Sequence, residues 1–235
     1  MQYSLMAKYY DKLYSFKDYN QEVLDLLVII EQYIKQDFNS LLDIACGTGK
    51  HLEVLKQYFP MCEGLDLNQE LLDIAIKRNP DVTFHHADMQ NFELHKQFDI
   101  ITCFFGSIGH VKTREHLEQT IRNMKSHLTG NGLLVIEPWH TPEQFRVGRT
   151  NLLTVDEDDL KIARCCSSQV DGNLSILDLH HLICTPQGTE HFVEHLELGM
   201  FMEQDYLDFL SEGGYTVVHE KIRSNGNGVY LAFKR

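Results

Sequence analysis

Over residues 20–36, Val23, Leu24, Leu27, Ile30 and Ile34 recur near the helical period, which predicts an amphipathic helix. The pattern then changes to a short unbroken run, Leu41 to Ala45 around Asp43, that runs into glycines. A run of that length reads as a strand buried on both faces. The two patterns go on alternating. Leu52, Leu55 and Phe59 mark a helix stopped by Pro60, and Cys62 to Leu67 marks a second strand. Residues 69–78 form a helix closed by Asn79-Pro80, followed by strands at Val82 to His86 and Phe98 to Phe104. Leu117, Ile121, Met124 and Leu128 predict a helix ending at Gly130, and Leu133 to Glu137 a fifth strand. This alternation predicts an α/β fold, a parallel sheet with helices on both faces.

After Pro142 the helical period disappears. Leu160–Val170, Leu174–Thr185 and Glu190–Phe201 read as strands, with Asp171-Gly172-Asn173 and Pro186-Gln187-Gly188 as turns. The segment 141–201 is therefore expected to be an inserted antiparallel β region. A helix at 203–212, Gly213-Gly214 and strands at 215–222 and 228–234 return the chain to the sheet. No repeat or low-complexity linker interrupts it, so residues 1–235 read as one domain with its core in 38–138 and 202–235. Asp156 to Asp159 reads as a solvated turn, and Met200 and Met202 as core fillers.

Composition narrows the function. The 21 Lys and Arg against 34 Asp and Glu leave a net charge of −13, and no basic run exceeds a pair. That disfavours nucleic acid as a partner, since tracking phosphates needs basic residues along one face. A small anionic ligand stays possible because a site can be locally positive. The longest aliphatic run, Leu26 to Ile30, is too short to span a bilayer, and the N-terminus has no basic stretch leading into an apolar one. The six cysteines include no C-x-x-C pair and read as reduced thiols in a cytoplasmic protein. His191 and His195 lie four apart in a predicted strand, so no metal site is expected.

Three groups carry candidate chemistry. Asp43-Ile44-Ala45-Cys46-Gly47-Thr48-Gly49 joins the first strand to a helix, where small residues let the backbone approach a ligand. Asp66 ends the second strand, at the offset that suits a carboxylate accepting both ribose hydroxyls of a nucleoside. Asp88-Met89 follows the third, where an acid can take an adenine amino group and Met can pack on the ring. A dinucleotide loop would need a glycine where this chain has Leu52. A ligand with a nucleoside but no phosphate fits better.

That set resembles the S-adenosylmethionine-dependent class I methyltransferases, whose Rossmann-like sheet would cover residues 38–138. More closely, the chain resembles the nucleotide-linked amino-sugar N-methyltransferases of macrolide antibiotic pathways. The matching stretches are Tyr10-Asp11, Lys17-Asp18-Tyr19, Leu41 to Gly49, Arg78-Asn79-Pro80, His85-His86, Asp88-Met89, Ser107-Ile108-Gly109-His110 and Glu137-Pro138-Trp139. The resemblance implies S-adenosylmethionine as cofactor, held by Ala45, Cys46, Gly47, Gly49, Asp66, Leu67, Asp88, Met89 and Phe104. Tyr10 and Tyr19 would close over it from lid helices in residues 1–36. It implies a small-molecule amine as substrate, an amino sugar first of all, faced by Tyr3, Tyr14, Trp139 and Asn227, and a homodimer with neither nucleic acid nor membrane as partner. The insertion 141–201 is expected to roof the substrate site or to pair subunits. His110 is the candidate for orienting the amine or taking its proton, because imidazole titrates near neutral pH. The chain departs from the family at His140, often a second aromatic, and at Asn227, where an arginine would suit a diphosphate.

Other functions stay open at this point. The acceptor could be an amino acid, a peptide N-terminus or a hydroxyl. A base-flipping methyltransferase would carry D/N-P-P-aromatic where this chain reads Thr102-Cys103-Phe104-Phe105-Gly106-Ser107. A non-catalytic cofactor sensor would have no use for His110.

Overall fold

In the computed structural model, residues 2–221 and 226–234 are described, with side chains from Met6 onward. Two helices lead, α1 (Gln2–Leu13) and α2 (Tyr19–Tyr33). Then β1 (Ser40–Ile44), α3 (Lys50–Leu55), β2 (Met61–Asp66), α4 (Gln69–Arg78) and β3 (Thr83–His86) alternate. They are followed by β4 (Phe98–Cys103), a 3-10 turn at Ser107–Val111, α5 (Arg114–Ser126) and β5 (Leu128–Ile136). The inserted strands are β6 (Asn151–Glu157), β7 (Leu160–Asp171), β8 (Leu174–Thr185) and β9 (Gly188–Gly199). The chain closes with α6 (Glu203–Ser211), β10 (Thr216–Glu220) and β11 (Val229–Phe233).

Seven strands make the central sheet in the order β10-β11-β5-β4-β1-β2-β3. The run from β5 to β3 is parallel, and β11 pairs antiparallel with both its neighbours. Alternation along the strands divides the core. Leu134 and Ile136 pack with residues of α5 and α6, while Leu133 and Val135 pack with residues of α2 and α3. Side chains fix where helices begin. Asp18 accepts from the Gln21 N–H (2.9 Å), Asn68 from the N–H groups of Glu70 and Leu71, and Thr113 from that of His116.

Two expected boundaries move. Leu128 keeps the helical spacing, yet α5 stops at Ser126 and Leu128 already pairs with Phe98 in β5. His127 makes the turn, its carbonyl accepting the Phe98 N–H at 2.8 Å, and Gly130, expected to end the helix, falls where the β4–β5 register shifts. The insertion has four strands rather than three, in the order β6-β7-β8-β9. Asp156 and Glu157 belong to β6 and pair with Lys161 and Lys12, so only Asp158 and Asp159 make the turn. This second sheet has a small core of its own. Met6, Tyr9 and Leu13 of α1 bury against Ile162, Ile183 and Phe192, so the first helix and the insertion form one body above the strand ends.

Candidate active site

The floor of the site is the carboxyl edge of β1, β2 and β3. After Ile44 the backbone turns through Ala45 at φ +56°, a left-handed conformation that costs a residue with a side chain of order 1–3 kcal/mol. Gly49, at φ +74°, starts α3; a Cβ there would lie 2.8 Å from Asn79 Nδ2. Below the loop, Asp43 is buried and accepts the Thr102 hydroxyl at 2.7 Å. Burial raises its carboxyl from 3.8 to about 7, against the Thr102 bond and helped by the Asp66 charge. Asp66 is held by the N–H groups of Gly47 and Asn68, each at 2.8 Å. Burial raises its pKa too, and those N–H groups oppose it. Asp88 accepts the Gln90 N–H at 2.9 Å.

Over this edge opens a cavity of about 1120 Å³, with Ala45, Gly47, Asp66, Leu67, Asp88 and Met89 on its floor. A Cβ added at Gly47 would meet nothing within 4 Å, so a ligand can lie directly on that backbone. An oriented carboxylate, an open backbone cradle and a second acid beside a methionine fit an adenosyl group.

The cavity continues away from the floor. The 3-10 turn after β4 begins at Gly106 (φ +67°), where a Cβ would lie 2.8 Å from the Trp139 ring. Packed there, Trp139 donates its indole N–H to Ser175 Oγ of β8 at 2.9 Å, which joins the turn to the insertion. His110, near the end of the same turn, lines the cavity. Surrounding protein pulls its imidazole below the ordinary 6.5, Lys112 lowers it further and Glu194 opposes both. Tyr10 and Tyr14 of the first helix and its end form an aromatic wall, 4.7 Å between centroids, with Phe105 edge-on to Tyr14 at 5.2 Å. Burial drives the Tyr10 hydroxyl well above its ordinary pKa, so it stays protonated.

The structure brings Tyr10, Tyr14, Ala45, Gly47, Asp66, Leu67, Asp88, Met89, His110 and Trp139 to one cavity. Four expected cofactor residues stand behind its wall. Phe104 stacks on His51 at 4.5 Å and Tyr19 meets the same ring edge-on at 4.9 Å. Cys46 is buried and its thiol is pushed well up by desolvation; Gly49 backs onto α4. Asn227 also lies off the wall, with Nδ2 3.4 Å from the Pro138 carbonyl. The Tyr3 side chain, and Ser224 and Asn225 of the C-terminal glycine-rich loop, lie outside the described residues.

Sequence reasoning missed the arginines of the roof. Arg146, Arg149 and Arg164 all line the cavity. Arg164 is buried, donates to the Tyr14 hydroxyl at 2.8 Å, and keeps Nε without a hydrogen-bond partner among the described residues. Arg146 and Arg149 stand on a loop clamped to β7. The Ser168 hydroxyl reaches both their carbonyls, at 3.3 and 3.2 Å, and the Gly148 N–H returns to the Ser168 carbonyl at 3.1 Å. One signal was available in the sequence: Arg164, Cys166 and Ser168 alternate along β7, the period of a strand with one ligand-facing side.

Known proteins carry the same architecture. A family described as a methyltransferase domain matches residues 41–132. A dTDP-3-amino-3,6-dideoxy-alpha-D-glucopyranose N,N-dimethyltransferase of Streptomyces fradiae is 33% identical, over 96% of this chain and 89% of its own length. The crystal structure of Streptomyces venezuelae DesVI superposes with a TM-score of 0.91 at 32% identity, covering 97% of this chain and 98% of that one. CalS10, an amino pentose methyltransferase of Micromonospora echinaspora solved with S-adenosylmethionine bound, gives 0.85 at 30% identity, over 93% and 92%.

Proposed function

This chain belongs to the amino-sugar N-methyltransferases, and from that membership we propose that it methylates the amine of an amino sugar carrying an anionic nucleotide. S-adenosylmethionine is the cofactor; it supplies a methyl group already activated on a sulfonium. The observation that carries the substrate reading is the continuity of one cavity. It runs from Asp66 and Asp88 past His110 to Arg146, Arg149 and Arg164.

In this reading Asp66 takes the ribose hydroxyls, Asp88 the adenine amino group, and Met89 packs on the ring. Tyr10, Tyr14 and Phe105 exclude water. His110 meets the amine. Its lowered pKa keeps the imidazole neutral at neutral pH, so Nδ1 or Nε2 can accept the proton that the attacking nitrogen must lose. Most of the acceleration is positioning, which can supply up to roughly 7–11 kcal/mol. Trp139 contributes by fixing the turn that carries His110. The arginines supply donors for a diphosphate, a role that Asn227 cannot fill.

The test offers the purified protein dTDP-amino sugars, the same sugars without the nucleotide, and their hydroxyl analogues, with mass detection of product. Methylation of the linked amine, with much slower turnover of the free sugar, is expected. Equal turnover of both would remove the nucleotide from the proposal, and methylation of the hydroxyl analogue would remove the amine. A homodimer in the cytoplasm belongs to the same proposal. The outer face of the insertion supports the dimer with exposed Leu152 and Leu182, and six free thiols suit a reducing compartment.

A further inference from the structure

Two acids of the cavity wall, Glu194 and Glu197, lie apart from the cofactor floor and the arginines, and Glu197 is already paired with Lys112 at 2.7 Å. Glu194, on β9 opposite Leu179, lines the cavity, and its side chain is only 16% exposed. Its Oε2 is buried with no hydrogen-bond partner among the described residues. The nearest cation-forming group is the His181 ring of β8, with Nε2 3.4 Å away but not aligned for a hydrogen bond. His181 is fully buried and stacked on Phe192 at 4.5 Å, so it has little freedom to turn toward the acid. A buried carboxylate oxygen without a donor costs free energy unless something arrives to satisfy it. On its open side Glu194 shares the cavity with His110, whose ionisation its charge opposes Lys112 in setting.

We propose that Glu194 is the carboxylate that receives the substrate's amine, holding it as an ammonium against His110. The inference rests on the amine reading above and adds the group that recognises the nitrogen. An amino sugar arrives protonated at neutral pH and offers up to three N–H donors. The Glu194 carboxylate takes one and His110 takes the proton that frees the nitrogen lone pair. The nitrogen then forms its bond to the methyl carbon as the carbon–sulfur bond breaks, and the electron pair of that bond stays on sulfur. The imidazolium left behind and the new methylammonium both face the Glu194 carboxylate. The same arrangement would discriminate against a hydroxyl acceptor, which brings no positive charge.

The charged and titratable groups around the pair are Lys112 beside His110 with Glu197 bonded to it at 2.7 Å, His181 behind Glu194, and Arg164 directly across from His181 on β7. The test uses Glu194→Gln, which keeps the volume, and Glu194→Asp, which keeps the charge. Calorimetry with S-adenosylhomocysteine verifies that each variant is folded with an intact cofactor site. In Glu194→Gln the KM for the amine should rise about tenfold or more. The His110 titration, followed by NMR without any substrate, should move to lower pH. Glu194→Asp should recover part of both effects. Wild-type KM and an unmoved His110 titration in Glu194→Gln, with cofactor affinity intact, would overturn the proposal. Should no amine be methylated by the wild-type protein, the amine reading itself falls, while the substrate-free titration still reports the Glu194–His110 pairing.

Discussion

The two ends of the cavity differ in how their polar groups are satisfied. At the cofactor end every functional acid has a partner within the chain: Thr102 for Asp43, Gly47 and Asn68 for Asp66, Gln90 for Asp88. At the substrate end buried polar atoms of the lining residues have no partner among the described residues, Arg164 Nε and Glu194 Oε2 among them. The first end is preorganised by backbone N–H groups fixed by the fold. The second keeps its donors and acceptors for a molecule that brings the complement. That division suits an enzyme whose cofactor never varies and whose acceptor defines its specificity.

If the cofactor end is prebuilt, removing its anchor should do the most damage. Asp66→Ala deletes the carboxylate that both Gly47 and Asn68 orient, and leaves those N–H groups without their acceptor. Affinity for S-adenosylhomocysteine should fall by roughly 100-fold or more in calorimetry, since the proposed role of Asp66 gives it two charge-assisted bonds to the sugar diol. Near-native affinity would break the comparison at its stronger end.

The next effect is on stability and separates burial from ligand binding. Asp43 ionises near pH 4 in the unfolded chain and at about 7 in the folded one. Between those values the native state holds the proton that the unfolded state has lost. Its stability therefore falls as pH rises through that window and levels off above it. Denaturant titrations from pH 4 to 8 should show the decline, of order a few kcal/mol for a shift of this size. Asp43→Asn should flatten it. A variant with the parent's slope would place the pH dependence elsewhere.

What was legible in the sequence follows the same division. The cofactor floor could be read because its acids stand at or just past the ends of strands that alternate with helices: Asp66 closes β2 and Asp88 stands two residues beyond β3. Gly47, Asp66 and Asp88 thus announce their places in three dimensions from local order alone. The roof could not be read that way. Arg146 and Arg149 stand on a loop and Arg164 and Glu194 on different strands, so only the β7–β8–β9 pairing brings them together. Strand β6 escaped because most of its residues face solvent. Leu128 misled because its spacing continues the helix while its backbone already pairs with Phe98.

Arg164→Met sharpens the contrast from the other side. Methionine keeps most of the apolar packing of the arginine stem and removes the cation and the bond to Tyr14. The KM for a nucleotide-linked amine should rise by about tenfold, as loss of a charge-assisted contact predicts. The KM for the free sugar and the affinity for S-adenosylhomocysteine should stay near the parent values. A parallel rise for both acceptors would make Arg164 a packing residue of the roof rather than a ligand for the anion.

The smallest effect is expected where the roof holds its own shape. Ser168 lines the cavity with its hydroxyl already engaged: it reaches the carbonyls of Arg146 and Arg149 and so sets where the two arginines project. Ser168→Ala removes those bonds but leaves the Gly148 N–H on the Ser168 carbonyl, so the loop keeps one of its ties. A lost neutral hydrogen bond at a half-open site is worth about 1 kcal/mol, which corresponds to a severalfold rise in KM for the linked amine. Because the loss acts through loop order, it should shrink when Arg149 is already absent. In a double variant with Arg149→Ala the two effects should therefore combine to less than their sum. Strict additivity would mean that the serine and the arginine act separately, and that the roof does not preorganise its cations as the floor preorganises its acids.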